Sequence, residues 1–162
     1  SGGGSSVPLG TSAPSAAAPP SVILLAAGDS TSCSTTGDTA TAKLLESLPG
    51  TVAALGDNAY DTGSTREYSQ CYDPTWGAVL DRTRPAPGNH EYMTAGAPGY
   101  FGYFGALAGD PKFGYYAYDL GTWRIYSLNS NCADVGGCGP KSAEVAWLKA
   151  DLAANPAACV LA

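Results

Sequence analysis

The chain carries one histidine, one methionine and few basic residues: eight Lys and Arg stand against fourteen Asp and Glu, for a formal net charge of -6. The cations are scattered along the sequence rather than clustered. Binding to nucleic acid by counterion release needs a basic face, so no nucleic-acid partner is expected. Long apolar runs are missing too. The longest strand-like run, Val22 to Ala27, falls far short of the roughly 20 residues of a spanning helix, so no membrane partner is expected. Paired CxxC spacing is absent, which argues against a structural zinc site. Charged residues are 14% of the chain and hydrophobic ones 44%, a balance that suits one globular domain with a sizeable core.

Five cysteines are present, Cys33, Cys71, Cys132, Cys138 and Cys159. That is many for a reducing cytosol, and a secreted, periplasmic or otherwise extracellular protein is the expectation. Cys33 and Cys71 fall in the loops after the first two strands and suit a bridge. The other three leave three pairings open, and the odd count leaves one thiol over. Residues 1–21 are nearly all Ser, Gly, Ala, Pro and Thr, without charge or aromatic side chains, and read as a disordered linker.

Folded sequence is expected from Val22. The runs Val22 to Ala27 and Val52 to Leu55 read as buried parallel strands, joined by a helix over Thr39 to Leu48 whose stripe of Ala42, Leu45 and Leu48 ends at Pro49-Gly50. That βαβ unit implies a right-handed crossover. Tyr68 to Leu80 reads as helical in part, and Arg84 to Pro87 as a proline-stiffened approach to a loop. Gly114 to Leu120 and Trp123 to Asn129 alternate in polarity across Gly121-Thr122, the pattern of an antiparallel hairpin. Ser142 to Leu152 reads as an amphipathic helix with Ser142 as N-cap and Val145, Leu148 and Leu152 on one face, and Cys159 to Ala162 as the start of a buried strand. The fold class expected is α/β (α+β), a sandwich with a mixed sheet and flanking helices.

Three polar loops carry the chemistry: Gly28-Asp29, Gly56-Asp57-Asn58-Ala59-Tyr60 and Gly88-Asn89-His90-Glu91. Asp29 and Asp57 are 28 residues apart, and Asp57 and Asn89 are 32 apart. The first two loops follow strands, where open α/β sheets bind ligands. Taken singly, a Gly-Asp pair is a common turn and a lone histidine is more often structural than catalytic. In the second loop a carboxylate and a phenol three residues apart can converge on one ion. In the third, Asn89 offers a neutral amide oxygen beside His90, a group that titrates near neutral pH. The aromatic group Tyr92, Tyr100, Phe101, Tyr103 and Phe104 is expected to pack a long loop rather than line a cleft.

In order and spacing these loops resemble the signature of the calcineurin-like metallophosphoesterases, and more narrowly the purple acid phosphatase branch, in a bacterial secreted form. The resemblance spans about residues 22–162 and includes the Ser127-Leu-Asn-Ser130 segment. It implies a metal-dependent phosphoric ester hydrolase acting on a small phosphate ester through a dinuclear centre and a metal-bound hydroxide. Asp29 would bind the first metal, Asp57 bridge both, Tyr60 bind the first and Asn89 the second. His90 would be catalytic without binding metal, and Glu91 would orient the third loop from behind it. Tyrosine ligation implies iron at the first site, with iron, zinc or manganese at the second. Many relatives place a histidine two residues after the first Asp, where this chain has Thr31. The tyrosine branch lacks that histidine and prefers glycine there. The family's remaining ligands are three histidines from two later loops, and none follows His90. The resemblance therefore implies the N-terminal part of a longer domain, poor metal affinity and little phosphatase activity for the 162-residue chain.

Two other readings compete. Gly28-Asp29-Ser30 after a strand also fits the nucleophile block of GDSL (SGNH) serine esterases, with Ser30 attacking an ester. That family places Asp three residues before its histidine, where this chain has Pro87, and its Gly-x-Asn-Asp block is missing. A non-catalytic binding or surface module with calcium-stabilised loops is the third reading, and it leaves His90 without a purpose. Oligomeric state has no signal in the sequence.

Overall fold

The computed structural model describes residues 21–162, so the linker assigned to residues 1–21 lies, apart from Ser21, outside the described residues. β1 (Leu24–Ala27) is followed by the two-residue β2 (Thr31–Ser32), then α1 (Gly37–Ser47) and β3 (Thr51–Leu55). β1 and β3 pair in parallel with Ala27 opposite Ala54, the βαβ unit expected from the sequence. α1 stops where Leu48, preceding Pro49, is driven to extended backbone (φ -110°, ψ 134°). β4 (Ala59–Tyr60) pairs with β2, and β5 (Thr83–Ala86) completes a three-stranded parallel sheet in the order β1-β3-β5. Between β4 and β5 lie a short α2 (Thr65–Glu67), a π-helical turn over Tyr68–Tyr72 and a 3-10 segment over Trp76–Arg82.

After β5 come a 3-10 turn over Glu91–Met93, α3 (Pro98–Phe104) and a further 3-10 turn. β6 (Tyr116–Leu120) and β7 (Trp123–Ser127) form the expected antiparallel hairpin, with Leu120 opposite Trp123. α4 (Ala143–Ala154) leads to β8 (Cys159–Leu161), which pairs in parallel with β7. The result is a mixed α/β structure built on small sheets. Among the described residues no helix is long and apolar enough to cross a membrane.

β3 is the central strand, and Val52 and Ala54 are fully buried. On one side the sheet meets α1 through Ala42 and Leu45. Trp76 is buried beside them and donates from Nε1 to Thr41 Oγ1 at 3.0 Å. Tyr68, Tyr72, Tyr100, Tyr103 and Phe104 interlock mostly edge-to-face with centroids 5.1–5.6 Å apart, the spacing that aromatic quadrupoles favour. These rings form core.

Burial departs from the sequence expectation at three places. β1 is partly exposed rather than buried, with Ala26 and Ala27 exposed, and β8 is exposed at Val160 and Leu161. Both are edge strands with one neighbour each, so their apolar composition finds no second partner among the described residues. On α4, Ser142 is the N-cap as expected and accepts from Val145 N at 3.2 Å. Leu152 is exposed, however, and the helix buries Glu144 while packing Trp147 on Tyr115 at 4.7 Å.

Two disulfides are formed, Cys33–Cys71 and Cys132–Cys138, leaving Cys159 unpaired. They are compatible with an oxidising compartment. Cys33–Cys71 ties the loop after β2 to the π-helical turn across 38 residues. A loop of that length removes about 4 kcal/mol of unfolded-state entropy. Cys33→Ala/Cys71→Ala is expected to lower unfolding free energy by about 2–4 kcal/mol in urea titration. A change under about 0.5 kcal/mol would show the two segments to be fixed without the bond.

Candidate functional site

The three polar loops meet at the C-terminal ends of β1, β3 and β5. Loops one and two run side by side: Asp29 N donates to Gly56 O, Ser30 N to Asp57 O and Thr31 N to Asn58 O at 3.1–3.2 Å. Asp29 and Asp57 both take left-handed backbone, with φ 52° and 49°, a conformation Asp tolerates better than bulkier residues but at a cost. Loop three packs onto loop two backbone to backbone. A Cβ on Gly88 would lie 2.1 Å from Asp57 Oδ1, so only glycine fits there.

Glu91 locks this arrangement. It is fully buried, and its carboxylate accepts from the backbone N–H of Asp57 (3.0 Å), Asn58 (2.8 Å), Ala59 (3.3 Å) and Gly88 (2.7 Å), and from the Tyr68 hydroxyl (3.1 Å). Burial pushes its carboxyl up, and the N–H donors and Tyr68 pull against that. Five donors surround it, which suits the ionised form.

The result is a polar hollow of about 380 Å³ lined by Asp29, Asp57 and Asn89, together with Ser130 and Asn131. The Tyr60 hydroxyl donates to Asp29 Oδ1 and lies 3.2 Å from Asp57 Oδ2. The hydrogen bond to Asp29, desolvation and the charge of Asp57 all push its phenol upward, so the proton is held firmly unless a cation replaces it. Asn89 is exposed and makes no side-chain hydrogen bond among the described residues. His90 flanks the hollow: its N–H donates to Asp57 Oδ1 at 3.0 Å, and its ring lies 4.4 Å from that of Tyr60. His90 Nδ1 lies 2.6 Å from the Asp61 carbonyl. A carbonyl only accepts, so Nδ1 carries the proton and Nε2 is left for other chemistry.

The four predicted ligands, Asp29, Asp57, Tyr60 and Asn89, are thus brought to one place, with His90 beside them and Glu91 behind. Among the described residues no three His, Cys, Asp or Glu side chains cluster. What converges is two carboxylates with a phenol and an amide. All of these groups offer oxygen, the donor atom that hard cations prefer. The donor set therefore fits a hard or borderline cation. No Lys or Arg lines the hollow, so without a cation it would repel phosphate.

Thr31 is buried and spends its hydroxyl on Asn58 O at 2.7 Å. Ser30 Oγ is buried and makes no hydrogen bond among the described residues, to His90 or to any other group. No Ser30–His90 pair exists.

Sequence reading did not single out Asn131 or Glu67. Asn131 reaches the hollow only because β7 ends beside β5, a tertiary placement without local signature. Glu67 completes a capping box with Ser64 and also accepts from Asp61 N and Thr62, fixing the peptide that holds His90. The Ser64-x-x-Glu67 pattern was a readable signal. No protein-family model, curated protein or solved structure matches the chain, so the functional reading stands on these residues and their geometry.

Two outcomes follow. Glu91→Gln is expected to cost about 2–4 kcal/mol in chemical denaturation, because one amide end cannot accept from the N–H groups it faces. For Glu67, burial pushes the carboxyl up, yet hydrogen bonds from Ser64, Thr62 and Asp61 outweigh it and hold it at about 2, against an ordinary 4.5. A folded value below the unfolded one stabilises the protein above about 4.5 and is lost as pH falls toward 2. Glu67→Gln should therefore be less stable than the parent at neutral pH and match it near pH 2. A pH-independent gap would contradict this.

Proposed function

We propose that the chain carries the metal site of a phosphoric ester hydrolase of the calcineurin-like metallophosphoesterase type, purple acid phosphatase branch, with its mixed sheets forming part of that fold. The observation that carries this reading is the Tyr60 hydroxyl set between the Asp29 and Asp57 carboxylates at a hollow shared with Asn89. Asp29 and Tyr60 would hold one ion, Asn89 another, and Asp57 both, with iron at the tyrosine side and iron, zinc or manganese at the other. Bound there, two ions supply Lewis acidity toward a phosphoryl group and lower the pKa of a water that can attack it. The substrate is a small phosphate ester, and the two disulfides suit a secreted enzyme.

The chain's own residues supply the rest. Glu91 fixes the Asp57 and Gly88 peptides, so the carboxylate and Asn89 keep their positions as charge accumulates. His90, with Nδ1–H on the Asp61 carbonyl, presents Nε2 to hydrogen-bond a phosphoryl oxygen or pass a proton to the leaving oxygen.

Titration with ferric iron, read by the visible phenolate-to-iron charge-transfer band, tests this reading. The band should appear in the parent chain, vanish in Tyr60→Phe and be greatly weakened in Asp57→Asn. His90→Ala should keep the band while lowering whatever phosphatase turnover the loaded chain supports by about 10²-fold or more. Calcium binding with no iron band would favour the non-catalytic module. A full band in Asp57→Asn would defeat the bridging assignment.

A further inference from the structure

The wall of the hollow built from Ser130 and Asn131 is used by none of the roles above. Both residues follow β7, and both line the same hollow as Asp29, Asp57 and Asn89. Asn131 is held from several sides. Its Nδ2 donates to Asn129 Oδ1 at 3.0 Å and to Pro87 O at 3.3 Å, and its backbone N donates to Asn129 Oδ1 at 3.1 Å. Asn129 is fully buried and anchored in turn, with its N on Glu144 Oε1 (2.7 Å) and its Nδ2 on the Tyr92 hydroxyl (2.9 Å) and Phe113 O (3.0 Å). Immediately beyond, the Cys132–Cys138 disulfide closes the loop across six residues, and Gly137 N donates to Cys132 O at 2.8 Å. A side chain fixed this thoroughly beside a hollow is preorganised to read a ligand.

The hydrogen-bond inventory decides what it reads. An Asn amide has two donor hydrogens and one acceptor oxygen. Both hydrogens of Asn131 are committed to Pro87 and Asn129, so its Oδ1, which accepts nothing among the described residues, is the atom left over. Ser130 is exposed and adds a hydroxyl that both donates and accepts. With no Lys or Arg in the lining, this wall offers nothing to a second phosphate. An acceptor oxygen would repel one and would favour a hydroxyl or amine donor.

We propose that Ser130 and Asn131 form the leaving-group subsite of this hollow, and that it selects phosphate monoesters whose organic part carries a hydroxyl donor, as in polyol or sugar phosphates, over esters lacking one. This rests on the metallophosphoesterase reading above. One well-placed hydrogen bond corresponds to roughly tenfold in affinity.

The test compares glycerol 1-phosphate with methyl phosphate, which share the phosphoryl group and differ in the hydroxyls, by calorimetric titration of the full chain at saturating ferric iron. Glycerol 1-phosphate is expected to bind about tenfold tighter to the parent chain. In Asn131→Ala, with only the Ser130 hydroxyl left, the preference should fall to about twofold or less, with the iron band unchanged. Equal affinities in the parent, which need no variant to fold, would overturn the subsite while leaving the metal reading intact. So would an undiminished preference in Asn131→Ala. Absence of the iron band would overturn the metal reading and this subsite with it.

Discussion

One buried carboxylate organises the loops on which the site depends. Two loops from different strands approach until Gly56 and Gly88 nearly touch, which leaves buried backbone N–H groups without a sheet partner. Unmet donors there would each cost about 1–3 kcal/mol. Glu91 meets four of them and the Tyr68 hydroxyl besides. Two carboxyl oxygens make that possible: the single amide oxygen of a glutamine could not accept all five hydrogen bonds.

That arrangement tolerates otherwise unfavourable features beside it. Asp29 and Asp57 sit in left-handed backbone with a phenol wedged between their carboxylates, and no cation of the protein lines their hollow. A sequence selected for stability alone would not gather two carboxylates in strained positions around a polar void. A bound cation would turn the same features into assets, converting repulsion into ligation and replacing the Tyr60 proton. The aromatic core of Tyr68, Tyr72, Tyr100 and Phe104, with Cys33–Cys71 tying the loop after β2 to the π-helical turn, supplies a rigid base for it.

The loop trio was legible in the sequence because each loop is local: a glycine, an oxygen donor and a preceding apolar run announce a strand end without knowledge of the rest of the fold. The βαβ unit, the hairpin and the Ser142 cap were legible for the same reason, while the Cys33–Cys71 bridge, spanning 38 residues, was expected from the placement of both cysteines after the first two strands. Burial of β1 and β8 was misread, since an apolar run states what a strand prefers but not whether a neighbour covers it. Leu152 likewise lies on the predicted stripe of α4 yet faces solvent, while Glu144, polar in sequence, is buried on Asn129. Asn131 and Asn129 were invisible as site residues because their placement is set by β7 ending beside β5. The pairing of Cys132 with Cys138 was one of three open choices, decided by the turn that brings their Cα atoms to 5.1 Å.

The central claim is that Asp29, Asp57, Tyr60 and Asn89 hold metal in common. Anomalous diffraction from crystals grown with iron and manganese tests it most directly, because it locates ions without reliance on turnover. The account predicts anomalous peaks within ligand distance of the Asp57 carboxylate, one also beside Tyr60 and Asp29 and another beside Asn89. A hollow without metal density while ions bind elsewhere on the protein would contradict it.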